Sequence, residues 1–141
     1  MRFVLDASVA LLWLVPQTNP AGVDSASAAL NALEESQALV PQLFALEVAN
    51  VVVKVESKGM VTEADSQRFI VLLGQLNIVT DQATAVHALG DTLNLARRYK
   101  LSTYDAAYLE LALRKGLPLA TLDANLAKAA ITAGVPLFGA H

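Results

Sequence analysis

The chain of 141 residues contains no cysteine, one tryptophan and only two histidines, His87 and His141. Without cysteine it can form neither disulfide bonds nor thiolate-bound zinc, and it cannot use a thiolate nucleophile. Two isolated histidines give little material for histidine-based catalysis. What remains for chemistry is a set of oxygen-bearing side chains.

The chain has few charged residues, and acidic residues slightly outnumber basic ones. Charged residues make up 16% of the chain, and the formal net charge is −3. This balance argues against a wide basic surface that follows a nucleic-acid backbone. It leaves open a nuclease whose positive charge is carried by bound divalent cations. Hydrophobic residues make up 55%, which predicts a compact protein with a rich core and excludes a disordered one.

Long hydrophobic runs are also absent. The apolar stretches are broken well short of the roughly 20 residues that a membrane-spanning helix needs. Asp6 interrupts the N-terminal apolar run, where a signal peptide would stay uncharged. The sequence therefore predicts a cytoplasmic protein without a membrane segment, folded as a single domain over residues 1–141.

Short apolar segments of strand type alternate with longer helical segments along the chain. The predicted strands are 2–5, 38–40, 76–80, 118–122 and 135–138. The predicted helices are 7–14, 21–36, 43–58, one that begins at Thr62, 81–99, 102–115 and 123–133. This alternation predicts an α/β fold in which helices cover both faces of a parallel sheet.

Three aspartates stand at the boundaries of these elements. Asp6 ends the first strand, Asp123 follows a later strand, and Asp105 comes three residues after Ser102 at a helix start. Each has a structural explanation. An aspartate before a helix caps it and stabilises by about 1 kcal/mol, and Ser102 with Asp105 resembles a capping box. Taken singly, capping is the favoured interpretation of each aspartate.

Glu47 is harder to explain by capping, because the predicted helix 43–58 places it inside an apolar helix. Asn50 and Lys54 continue the same face of that helix. The structural alternative is a narrow stripe of polar groups that faces solvent, and the pattern of this helix by itself favours neither interpretation.

Considered together, the four acids favour a metal site over separate capping roles. Ligands of parallel sheets bind beyond the carboxyl ends of the strands, so the four side chains are expected at one edge of the sheet. Clustered carboxylates repel each other unless cations occupy the site. Hard oxygen ligands without histidine or cysteine suit Mg²⁺ or Mn²⁺, and metal-bound water hydrolyses phosphodiesters.

Four segments of the sequence resemble motifs of one known family, the PIN domains, and most closely its VapC-type toxin branch. They are Val-Leu-Asp-Ala-Ser at 4–8, Pro-Gln-Leu-Phe-Ala-Leu-Glu-Val-Ala-Asn at 41–50, Leu-Ser-Thr-Tyr-Asp-Ala-Ala-Tyr-Leu-Glu-Leu-Ala at 101–112, and Pro-Leu-Ala-Thr-Leu-Asp-Ala-Asn-Leu at 118–126. No single motif is specific to the family, but the four motifs in this order and at these separations are strong evidence for the resemblance.

The resemblance implies a three-layer α/β/α sandwich with a parallel central sheet and a Mg²⁺- or Mn²⁺-dependent endoribonuclease. Its metal-binding and catalytic residues would be Asp6, Glu47, Asp105 and Asp123. Substrate-positioning or supporting groups would be Ser8, Asn50, Ser102 and Thr121. It further implies an RNA substrate, a small cognate antitoxin and a homodimer. Candidate basic patches are Arg97, Arg98 and Lys100, and separately Lys54 and Lys58, although cations at solvated helix ends are the favoured interpretation of both groups.

Three alternatives remain open at this stage. A PIN-type nuclease of RNA maturation would share the site but not the toxin role. An aspartate-based phosphatase suits Asp6, although Ser8 stands where the haloacid-dehalogenase type usually has a second aspartate. A non-catalytic binding domain would use the aspartates only as helix caps.

Overall fold

A computed structural model describes residues 1–139 of the chain, so the terminal His141 lies outside the described part. Its sheet has four short strands, namely β1 (Arg2–Leu5), β2 (Gln37–Val40), β3 (Ile78–Thr80) and β4 (Leu119–Ala120). All neighbouring strands are parallel, in the order β3-β2-β1-β4. Helices cover both faces of the sheet, which confirms the predicted three-layer α/β/α architecture.

Helices connect every pair of successive strands. They are α1 (Ala7–Ala10), α2 (Val23–Ala32), α3 (Phe44–Ser57), α4 (Glu63–Gln75), α5 (Thr84–His87), α6 (Leu93–Tyr99), α7 (Thr103–Lys115) and α8 (Ala124–Thr132). Strands β1, β2 and β4 are mostly buried, and burial on both faces explains why they appear as unbroken apolar runs. The edge strand β3 is mostly exposed. Within residues 1–139, no helix is long and apolar enough to cross a membrane.

The strand order places a topological switch next to β1. From β1 the chain builds β2 and β3 on one side, and then crosses to β4 on the other side. Leu5 of β1 is paired with Ala120 of β4. Parallel sheets bind ligands at such a switch, beyond the carboxyl ends of the strands. Asp6 follows β1 directly, and Asp123 lies three residues beyond β4, so both stand at this edge.

Helix α7 is the most deeply buried helix, with every residue from 106 to 112 inaccessible. Its one buried acid, Glu110, accepts a hydrogen bond from Arg114 Nε at 2.8 Å. Arg114 also binds Asp81 after β3 through two hydrogen bonds of 3.1 and 2.7 Å. Because buried charge is costly unless it is paired, this ionic network holds α7 in place against the end of β3.

The predicted helix over 81–99 is interrupted in the structure. Asp81 binds Arg114, and its side chain accepts a hydrogen bond from the Ala83 N–H, so the helix begins only at Thr84. A π-type segment then joins α5 to α6, with Gly90 at non-helical dihedrals of φ −112° and ψ −105°. The interruption follows from a tertiary ion pair and from a glycine that tolerates unusual dihedrals.

The predicted final strand over 135–138 is wrong. It is reduced to a single parallel bridge between Leu119 and Leu137. Leu119 N–H donates to the Pro136 carbonyl at 3.0 Å, and Phe138 N–H donates to the Leu119 carbonyl at 2.9 Å. Pro136 has no N–H to donate, and proline therefore stops strands from extending.

Candidate active site

Asp6 is the most deeply buried of the four predicted site acids, with 5% of its surface exposed. Its Oδ2 accepts a hydrogen bond from Ser8 Oγ at 2.6 Å and another from Thr121 Oγ1 at 2.8 Å. The side chain makes no capping hydrogen bond to helix α1. Capping is therefore the wrong interpretation of Asp6, whose carboxylate is oriented by two hydroxyl groups instead.

The same two hydroxyl groups tie the ends of β1 and β4 together. Ser8 Oγ accepts a hydrogen bond from the Leu122 N–H at 3.0 Å, and Thr121 Oγ1 accepts one from the Asp123 N–H at 3.1 Å. Each hydroxyl donates to Asp6 and accepts from a backbone N–H of the segment that follows β4. The arrangement fixes Asp6 relative to the start of α8, across more than a hundred residues of sequence.

Asp123 does cap a helix. Its Oδ1 accepts a hydrogen bond from the Leu126 N–H at 2.8 Å, as the structural explanation predicted. Its negative charge nevertheless acts across the switch, since it raises the pKa of Asp6 and of Asp105. Asp123 therefore has a structural role and still contributes to the field of the site.

Asp105 lies in the first turn of α7, where its backbone N–H donates to Ser102 Oγ at 3.1 Å. The return bond of a capping box, from the Ser102 N–H to the Asp105 carboxylate, is not formed among the described residues. Burial, followed by the charges of Asp123 and Asp6, raises the pKa of Asp105 to about 6, against a smaller lowering by the Ser102 hydroxyl. Apart from the Ser102 hydroxyl, no described group of its own helix holds the Asp105 carboxylate.

Glu47 does not stand in mid-helix as predicted, because α3 begins at Phe44 and places it in the first turn. There the helix dipole favours a carboxylate. Its Oε1 accepts a hydrogen bond from the Tyr108 hydroxyl at 2.6 Å. Burial raises the pKa of Glu47, the Tyr108 hydrogen bond opposes that rise, and the charges of Asp6 and Asp105 add to it.

Tyr108 is the residue that the sequence interpretation missed, although its motif was noted. Its side chain is fully buried, and burial followed by the hydrogen bond to Glu47 raises the pKa of its hydroxyl. A signal was present in the sequence, because Tyr108 comes three residues after Asp105 and so shares a face of α7 with it. By contrast, the predicted supporting residue Asn50 is exposed, and its side chain makes no hydrogen bond within residues 1–139.

Within residues 1–139 the four site acids form no salt bridge. Asp65, Asp81 and Glu110 are each paired with an arginine. No lysine or arginine contributes to the pKa of Asp6, Glu47 or Asp105, and all three are raised, first of all by burial. The edge of the sheet therefore carries buried negative charge that the described protein does not neutralise.

The donor set fits a hard divalent cation, because carboxylate and hydroxyl oxygens are the ligands that Mg²⁺ and Mn²⁺ prefer. The side chains are, however, spaced more widely than the ligands of a formed metal site. Within residues 1–139, no three histidine, aspartate or glutamate side chains are already gathered around one ion position. Both findings are compatible, because Coulomb effects on pKa extend well beyond the 2.0–2.6 Å of a coordination bond.

Solved structures with this fold support the architecture. VapBC2 from Rickettsia felis, bound to a DNA fragment from its promoter, matches with a TM-score of 0.65 at 15% identity, over 97% of both chains. A toxin–antitoxin complex from Klebsiella pneumoniae matches with a TM-score of 0.56 at 23% identity, over 86% of both chains. At these identities the likeness shows the shared fold.

Sequence relatives show the family. Ribonuclease VapC3 of Pyrobaculum aerophilum is 30% identical over 128 residues, which cover 91% of this chain and 94% of that protein. The model of the PIN domain matches residues 3–131, a range that contains all four site acids. The chain belongs to the PIN-domain family.

Proposed function

We propose that this chain is a divalent-metal-dependent endoribonuclease and the toxin of a toxin–antitoxin pair. The observation that carries the proposal is the buried, unneutralised charge of Asp6, Glu47 and Asp105 at the topological switch. Such charge destabilises an empty site and attracts a cation. Similarity to a protein named Ribonuclease VapC3 supports RNA as the substrate class.

In this proposal the residues that hold Mg²⁺ or Mn²⁺ are Asp6, Glu47, Asp105 and Asp123. The bound ion would supply an activated water and stabilise charge on the phosphate. Ser8 and Thr121 orient the Asp6 carboxylate through the hydrogen bonds described above. Tyr108 holds one oxygen of Glu47 and leaves the other available.

The aspartate-phosphatase alternative is less well supported. Ser8 stands where the haloacid-dehalogenase type usually has a second aspartate, and its hydroxyl donates a hydrogen bond to Asp6 Oδ2 at 2.6 Å. Hydrolysis of a small phosphomonoester without RNA cleavage would nevertheless revive that alternative.

The proposed partners are a small antitoxin and a second copy of the chain. A structure of similar fold from Klebsiella pneumoniae is a toxin–antitoxin complex, and a basic side chain from a partner could neutralise the acidic site in place of metal. Apolar side chains also remain exposed on α3 and α4, including Leu46, Val53, Ile70 and Val71. Such surface is typical of protein interfaces.

The test combines RNA cleavage with melting curves for the parent, Asp6→Asn, Glu47→Gln and the control Glu56→Gln on the same helix. Metal binding to the native state should raise the melting temperature of the parent and of Glu56→Gln. Both should cleave RNA with Mg²⁺ or Mn²⁺ and stop in EDTA. Asp6→Asn and Glu47→Gln should lose cleavage and most of the metal-induced shift, while their metal-free forms stay folded.

A folded, metal-free parent that neither melts higher in millimolar metal nor cleaves RNA would overturn the nuclease proposal. The toxin role is tested separately by expression in cells. Growth arrest by the parent, absent in Asp6→Asn, is the expected result. Normal growth with a fully active nuclease would favour the alternative role in RNA maturation.

A further inference from the structure

A basic cleft of about 350 Å³ lies between the end of α6 and one face of α8. Its polar lining consists of Arg98, Tyr99, Lys100, Asn125, Lys128 and Thr132, and no acidic residue lines it. Three of the ten lysines and arginines of a net-negative chain therefore share one concave surface. Within residues 1–139 none of the three forms a salt bridge.

The cleft adjoins the acidic site through both of its walls. On one wall, α8 begins directly after Asp123, and Asn125 and Lys128 lie in its first two turns. On the other wall, Lys100 comes two residues before Ser102, the residue that caps the helix carrying Asp105. The cationic and amide groups of the cleft therefore lie close in sequence to Asp105 and Asp123.

Lys100 occupies a backbone conformation that disfavours lysine. It is the C-cap of α6 with φ 56° and ψ 44°, and it is the only non-glycine residue with positive φ in the described part of the chain. The equivalent C-cap of α7 is Gly116, the residue type that this conformation favours. The chain therefore keeps a lysine side chain at the cleft in a position where glycine would be less strained.

Arg98 is also ordered by its surroundings, since its guanidinium carbon lies 5.7 Å from the centre of the Tyr99 ring. This cation–π contact holds the guanidinium against Tyr99, and both residues line the cleft. Guanidinium, ammonium and amide groups on a concave surface are the groups that bind phosphate oxygens.

We propose that this cleft binds the phosphodiester backbone of the RNA to one side of the scissile bond. The inference rests on the proposed ribonuclease function and adds the path of the substrate. It also accounts for RNA binding by an acidic protein, because the basic groups are concentrated beside the site and are not spread over the surface. Contacts of this kind position the substrate without reading its sequence.

The experiment compares two triple variants that change the net charge equally. Arg98→Gln/Lys100→Gln/Lys128→Gln removes the cleft cations. The control Arg2→Gln/Arg68→Gln/Lys115→Gln removes three exposed cations from the amino end of β1, from α4 and from the carboxyl end of α7. Binding of a fluorescein-labelled single-stranded RNA is followed by anisotropy over a salt series in EDTA, and KM and kcat are measured in Mg²⁺.

We expect the cleft variant to bind RNA about 10-fold or more weakly and to lose about 2 units of salt slope, from roughly 0.7 per phosphate contact on single strands. Its KM should rise while kcat changes little, and the control should match the parent. If the parent binds RNA too weakly in EDTA for the anisotropy measurement, the KM values measured in Mg²⁺ still compare the variants. Lys100→Gly should melt no lower than the parent and still weaken RNA binding, which separates affinity from folding.

Equal losses in both triple variants would overturn the proposal, because the effect would then depend on net charge alone. Unchanged KM and affinity in the cleft variant would overturn it as well. Unchanged RNA binding with loss of a co-expressed acidic partner would reassign the cleft to a protein ligand. A parent that neither binds nor cleaves RNA would instead refute the proposed function, so the two failures are distinguishable.

Discussion

Two helices of this protein begin with the same local pattern, a hydroxyl residue followed three positions later by aspartate. At α4, Thr62 and Asp65 form a complete capping box, in which the Asp65 N–H donates to Thr62 Oγ1 and the Thr62 N–H donates to Asp65 Oδ2. Asp65 also pairs with Arg68. At α7, Ser102 accepts from the Asp105 N–H, but the carboxylate of Asp105 does not close the box.

The environments of the two aspartates explain the difference. Asp65 is held by the backbone and side chain of Thr62, which lower its pKa. Asp105 lies at the partly buried edge of the sheet. Burial, followed by the charges of Asp123 and Asp6, raises its pKa to about 6. The same local pattern thus gives Asp65, whose carboxylate caps its helix and pairs with an arginine, and Asp105, whose carboxylate does neither. The second carboxylate is the candidate for catalysis.

The largest expected difference between the two aspartates is in RNA cleavage. On the proposed function, Asp105→Asn should lower kcat/KM on the order of 100-fold or more, because it removes a charge that would hold the metal and stabilise the transition state. Asp65→Asn should cleave RNA like the parent, since Asp65 serves only its own helix. The measurement is cleavage of one RNA by both variants at saturating Mg²⁺. Equal activity of the two variants would break the comparison.

The pH dependence of metal-free stability should have opposite signs at the two positions. Asp105 binds a proton more tightly when folded, so its contribution falls as pH rises from about 4 to about 6 and stays low above that. Asp65 has a lowered pKa, so it stabilises above the unfolded value of 3.8 and loses that contribution as pH falls through its folded pKa.

Melting curves in EDTA between about pH 3 and pH 7 test these signs. Asp105→Asn should flatten the loss of stability that the parent shows toward neutral pH, and Asp65→Asn should flatten the loss on the acidic side. Mg²⁺ should oppose the neutral-pH loss in the parent, because it binds the deprotonated carboxylates. A parent that melts higher at pH 6 than at pH 4 without metal would contradict the raised pKa of Asp105.

The smallest expected effects come from the two hydroxyl caps. Thr62→Ala and Ser102→Ala should each lower the free energy of unfolding by about 1 kcal/mol, since each removes one helix-capping acceptor. Only Ser102→Ala should also reduce RNA cleavage, and by less than Asp105→Asn. Chemical denaturation and cleavage assays of the pair are the measurements. A similar loss of cleavage in Thr62→Ala would trace the effect to general stability.

Much of the fold was predictable from local patterns. The strands β1 and β2, the capped start of α4 and the glycine stop of α7 follow from apolar runs and end signals that act over a few residues. The errors had two origins, one a long-range contact and the other a proline inside the predicted segment. Arg114 binds Asp81 and so shortens the helix predicted from residue 81. Pro136 limits the predicted last strand to one bridge.

The candidate site shows the same division. The positions of Asp6 and Asp123 at strand ends were evident from the sequence, but capping was the favoured interpretation of each. The structure supports it for Asp123 and excludes it for Asp6. The hydrogen bond from Tyr108 to Glu47 joins residues 61 positions apart, and no local pattern specifies such a pair.

The sequence by itself determined the chemistry available to this protein, which is carboxylate and hydroxyl oxygen without thiols, and the alternation of elements that makes a parallel sheet. Hydrophobic periodicity and end signals act locally, so they can be recognised in one dimension. Only the tertiary structure decided which carboxylates lose water, which find an arginine and which remain unneutralised. Desolvation and Coulomb interaction depend on distances through space, and these are set only when residues far apart in the chain are packed together.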